Sequence, residues 1–85
     1  MFGQPELSPH RGPLPLISAA PGRSYRVVEI TGGHGMRRRL CEMGFAPGEV
    51  LTVSGGHGGA LIVKLLDHRL MLSRGMARRV MVTPL

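Results

Sequence analysis

Apolar residues recur at every second position over most of the chain and change to a helical spacing once. Leu51 and Val53, then Leu61, Val63 and Leu65, then Leu70 and Leu72, and last Val80 and Val82 each line one face of an extended segment. Residues 25–30 form an earlier β-branched run in which Val28 and Ile30 share one face and Tyr25 and Val27 the other, an assignment that a bulge would mix. Only Met36, Leu40 and Met43 follow the i, i+4, i+7 spacing of a helix face. The pattern predicts about five strands with one short amphipathic helix between the first and the second.

Turn chemistry separates these segments. Gly32, Gly33 and Gly35 end the first strand, and Gly44 follows the last apolar residue of the helix, where a left-handed backbone closes a helix and lets Phe45 fold back onto Leu40. Ala46-Pro47-Gly48-Glu49 has proline and glycine at the central positions of a type II turn, and Ala20-Pro21-Gly22-Arg23 repeats that chemistry before the first strand. Gly22, Gly44, Pro47 and Gly48 are therefore read as structural turn and cap residues. Residues 54–59 are so rich in glycine that a loop without regular pairing is expected. Asp67-His68 is read as a two-residue hairpin turn and Ser73 as the cap of a one-turn helix over residues 74–77. Leu14, Leu16 and Ile17 suit a single docked helical turn, whereas residues 1–13, with three prolines and no apolar period, read as a disordered tail. Residues 14–85 then make one mainly β domain, a small, partly open barrel of SH3-like plan.

Charge narrows the function. Eleven basic against five acidic residues leave a net charge of +6, which favours anionic partners without choosing among nucleic acid, acidic lipid and acidic protein. Three consecutive arginines, Arg37, Arg38 and Arg39, fall on the first turn of the helix, where the macrodipole opposes them, and Glu42 is their nearest acid. They form either a solvated face or a basic surface kept for a partner, and the second reading makes Arg37, Arg38, Arg39 and Glu42 the candidate partner-binding residues. Three aromatic rings and no tryptophan equip the chain poorly for base stacking, so nucleic acid is not the expected partner.

Cys41 is the single cysteine and is expected to be buried beside the apolar stripe of a reduced, cytoplasmic protein. The absence of a long apolar run argues against membrane insertion. His34, His57 and Cys41 are the ligands a metal-sensing domain would draw on, but their spacing assembles no site, and neither a metal nor a cofactor is expected. Nucleophile–base and paired-acid arrangements are missing, so the chain does not read as an enzyme. Glycine-rich residues 55–59 are followed by a strand rather than a helix, which argues against phosphate binding.

The ordered set Pro21-Gly22, Val27 to Ile30, Arg38-Arg39-Leu40, Met43-Gly44, Pro47-Gly48, Leu61-x-Val63-x-Leu65, Leu70-x-Leu72-Ser73-Arg74 and Val80-x-Val82 resembles the FeoA family of ferrous iron transport proteins. The resemblance covers about residues 14–83, and two departures stand out: Asp67 replaces a usual glycine, and the leading tail is longer. It implies a cytoplasmic, non-catalytic SH3-like barrel that docks on the cytosolic part of the ferrous iron transporter FeoB and supports its assembly or gating. Two alternatives from other classes are an RNA- or ribosome-binding barrel and a transition-metal-sensing interaction domain.

Overall fold

A computed structural model describes residues 12–85 of the protein. Its six strands are β1 (Leu14–Pro15), β2 (Ser24–Ile30), β3 (Val50–His57), β4 (Ala60–Leu65), β5 (His68–Leu72) and β6 (Val80–Pro84). They form one antiparallel sheet in the order β1-β6-β2-β3-β4-β5, curled into the partly open SH3-like plan. Helix α1 (His34–Glu42) joins β2 to β3, and α2 (Arg74–Ala77) joins β5 to β6 while packing on β4, β5 and a 3-10 turn at Leu16–Ser18. The tail expected over residues 1–13 lies outside the described residues except for Gly12 and Pro13, which are exposed.

The alternating positions build the core. Leu51, Val53, Val63, Leu65, Leu72, Val80 and Val82 are all buried on the inner face. In β2 the register shifts between Val27 and Glu29, so Tyr25, Val27 and Ile30 are buried together while Val28 turns outward. Tyr25 keeps its polar end satisfied: its hydroxyl accepts a hydrogen bond from the Ala20 N–H at 2.8 Å, which ties the chain before β2 to the sheet. Leu16 from the 3-10 turn and Ala77 from α2, two elements that pack on each other, are both fully buried. Ser73 caps α2, its Oγ accepting from the Met76 N–H at 3.2 Å.

Glycine does not stop β3 where the sequence suggested. A second bulge falls between Val53 and Gly55, and the ladder then resumes as Gly55↔Ile62, Gly56↔Leu61 and His57↔Ala60. The two-residue turn is Gly58-Gly59, with φ of +60° and +85°. The partner strand holds this pairing, because Ala60–Leu65 centres on the β-branched Ile62 and Val63 and a glycine strand lets it approach closely: a Cβ on Gly56 would lie 3.2 Å from the Ala60 carbonyl oxygen. The next hairpin also differs. Leu65 pairs with His68, so the turn residues are Leu66 and Asp67 rather than Asp67 and His68. Both registers keep the same leucines and valines inside; the observed one adds the pair Leu61↔Leu72 and leaves Leu66 at φ +58°.

Candidate functional site: the basic helix and its surroundings

Helix α1 begins earlier than its apolar stripe implies. Gly33 is the N-cap, with φ −76°, ψ 171° and no side-chain cap, and His34 and Gly35 form the first turn. Arg37 is therefore the fourth helical residue, not part of an opposed first turn, and Arg39 lies in the last turn, where the dipole favours a cation. The conflict between charge and dipole read from the sequence is thus largely absent. Leu40 is fully buried, and Met36 and Met43 pack against the core beside it.

The C-terminus of α1 fixes the orientation of this face. The Phe45 N–H donates to the Leu40 carbonyl and the Gly44 N–H to the Cys41 carbonyl, each at 3.0 Å, the double bond of a Schellman cap. Gly44 has φ +109°, and a Cβ there would meet Leu65 Cδ2 at 2.8 Å, so both backbone and packing require glycine. Phe45 then enters the core with no exposed surface. Gly48 follows at φ +99°, its turn closed by Glu49 N–H to Ala46 C=O at 3.1 Å, and Gly22 has φ +85° in the matching turn before β2.

Arg37, Arg38, Arg39 and Glu42 are all exposed. Arg38 Nε lies 3.4 Å from Glu42 Oε2 across one helical turn, with both side chains largely in solvent, so the pair stabilises the helix by only about 0.3–0.5 kcal/mol. The one acid on the helix is thereby shared with one arginine. Arg37 lines a cleft of about 500 Å³ whose walls are Val28, Glu29, Ile30, Thr31, Gly32 and Pro47. Val28 and Glu29, at the β2 bulge, are among these residues.

Arg79 joins this end of the molecule from the other side of the sequence. A Cβ placed on Gly32 would lie 3.5 Å from its Cδ, 3.7 Å from its Nε and 3.8 Å from Met36 Cβ, so the side chain lies across the entry to α1. The Arg79 carbonyl accepts from the Thr31 N–H at 2.8 Å, which locks the two segments together. Nothing local in the sequence links position 79 to position 32; the sheet brings them together.

Cys41 is exposed, contrary to the burial expected of it. It follows Leu40 by one residue, a rotation of about 100°, which carries it off the stripe that faces the barrel. Among the described residues no three His, Cys, Asp or Glu side chains come together as metal ligands, so His34, His57 and Cys41 are not assembled into a site. Among those residues, no helix is long and apolar enough to cross a membrane.

Comparison with known proteins agrees with this architecture. The family model of the FeoA domain matches residues 14–84. The chain belongs to the FeoA family. That membership implies a role in ferrous iron transport. A crystal structure of an iron uptake regulatory protein, FeoA, superposes with a TM-score of 0.79 at 36% identity, over 86% of this chain and 99% of that one. A FeoA-like protein from Clostridium acetobutylicum has a TM-score of 0.79 at 20% identity, over 87% of this chain and 88% of its own, a likeness of fold. The same fold occurs within a manganese-dependent transcriptional repressor, with a TM-score of 0.80 at 20% identity over 91% of this chain and 44% of the repressor. No curated relative matches.

Proposed function

We propose that this FeoA-family protein is a cytoplasmic, non-catalytic accessory subunit that docks on the cytosolic part of the ferrous iron transporter FeoB and supports its assembly or gating. The observation that carries the reading is the exposed basic face of α1 in a chain of that family: Arg37, Arg38 and Arg39 stand in solvent with Glu42 as their helix counter-charge, on an element whose geometry the Gly44 cap and Phe45 anchor make rigid. An acidic surface on the transporter would be steered toward this face and held by charge-assisted hydrogen bonds, each contributing about 1.5–3 kcal/mol where water is excluded. The cleft beside Arg37 gives such a surface an edge to seat against.

The test is binding of the purified chain to the transporter's cytosolic domain at low and high ionic strength, with Arg37→Gln and Arg38→Gln compared with the unaltered chain. Weaker binding with a shallower salt dependence supports the proposal. Unchanged affinity in both variants returns the arginines to a solvated face.

A further inference from the structure

The sheet has two edges, and they are not alike. At one lies β1, only two residues long, and its shortness protects it from further pairing. At the other lies β5, His68–Leu72, five residues long and unblocked by proline or glycine. Leu65 and His68 close a two-residue hairpin, so they form a hydrogen-bonded pair and the pairs alternate from there. Arg69 and Met71 therefore turn their N–H and C=O groups away from β4. Among the described residues, neither makes a backbone hydrogen bond outside its own sheet ladder.

The side chains along this edge carry charge and apolar surface together. Arg69 stands directly opposite Lys64, both exposed, and neither has an ion-pair partner among the described residues. Like charges at a directly paired position destabilise a sheet. One cation on β5 would be enough to discourage pairing with a second copy of a chain already at +6, so the second cation, one strand further in, is not accounted for by edge protection. Met71 next to it is 58% exposed and pairs with half-buried Ile62. Asp67 at the turn is the acid nearest in sequence, and it leaves the strip positive.

We propose that the β5 edge is a docking strand for an extended acidic segment of a partner protein. The segment adds to the sheet through the outward backbone groups of Arg69 and Met71, lays a carboxylate beside Arg69 with Lys64 reinforcing the field, and packs an alternate apolar side chain on Met71. This surface is separate from the basic face of α1 and does not depend on it.

The experiment uses the full chain, labelled with ¹⁵N, and a blocked peptide repeating glutamate-threonine-valine-threonine, one face of which alternates a carboxylate with an apolar side chain. The expected result is that the amides of Arg69 and Met71 shift and gain exchange protection, and that a lysine-for-glutamate peptide leaves them unchanged. Met71→Pro removes one outward N–H without touching the β4 ladder, a position where edge strands tolerate proline, and should abolish the protection. Lys64→Glu with Arg69→Glu should weaken binding by about tenfold or more while the sheet is kept, which covers the case in which the proline variant does not fold. Equal binding of the lysine peptide, no binding of the glutamate peptide, or shifts confined to α1 would overturn the proposal. An oligouridine strand that bound Lys64 and Arg69 while the glutamate peptide did not would assign the cations to nucleic acid instead.

Discussion

The Gly48 N–H donates to the carbonyl of Val27 at 2.7 Å, and the Gly22 N–H donates to the carbonyl of Val53 at the same distance. Each Pro-Gly turn thus closes on the last regular residue of the other strand, and each of those residues precedes a bulge. The return bonds match as well, Val27 N–H to Glu49 C=O at 2.9 Å and Val53 N–H to Arg23 C=O at 3.0 Å. Strands β2 and β3 are therefore related by a local pseudo-twofold axis, and the turns set where both stop being regular.

Gly22 and Gly48 in these turns and Gly44 in the α1 cap, all at positive φ, should rank by what else surrounds them. Nothing lies within 4 Å of a Cβ built on Gly22 or Gly48, so Gly22→Ala and Gly48→Ala should each cost only the backbone term, about 1 kcal/mol. Gly44→Ala must also displace buried Leu65, adding about 1 kcal/mol or more. Urea denaturation midpoints check the order. Equal midpoints for all three variants would mean that Leu65 moves freely.

Leu66 should be a site of gain. It has φ +58°, is 64% exposed and has no core contact to lose. Replacement by asparagine, which tolerates this backbone region, should stabilise the protein by about 0.5–1 kcal/mol and raise the thermal midpoint. A lowered midpoint would show that Leu66 contributes packing at the hairpin.

Much of this fold was legible because its punctuation is local. Pro47-Gly48, Gly44 and Ser73 each act within one turn of their own position, and alternation named the buried face of β3, β4, β5 and β6. What escaped were decisions made by distant partners. β3 continues through Gly55 and Gly56 because β4 pairs with it, and α1 starts at His34 after Gly33, a cap without a side chain, which leaves no residue signal. The position of the β4–β5 turn was ambiguous because both registers bury the same residues. For the candidate site, the arginines were visible as a run, but the joining of Arg79 to the start of α1 was not.

Cys41 should react rapidly with thiol reagents in the native state, since it is exposed on α1 and off the stripe centred on Leu40. Labelling with a chromogenic disulfide under native conditions should proceed at nearly the rate of the unfolded chain. A native rate lower by orders of magnitude would show that Cys41 is covered in solution.

The helix boundaries give the three arginines different expected effects on stability. Arg37 is the fourth helical residue and has no ion-pair partner among the described residues, so Arg37→Gln should leave the melting temperature unchanged. Arg38→Gln loses the exposed pair with Glu42, worth about 0.3–0.5 kcal/mol at low salt and less as salt rises. Arg39 is in the last turn, where a cation is favourable by about 0.3–1 kcal/mol, so its neutralisation should cost the most. Under the docking proposal, association with the transporter's cytosolic domain should follow a different order, with Arg37, which borders the cleft, contributing there and not to the fold. Melting curves and affinities measured on the same three variants at low and high ionic strength separate the two. If Arg37→Gln lowered the melting temperature by several degrees, its stem would be packed against the cleft wall at Val28 and Pro47, and its contribution to docking would have to be judged against that loss.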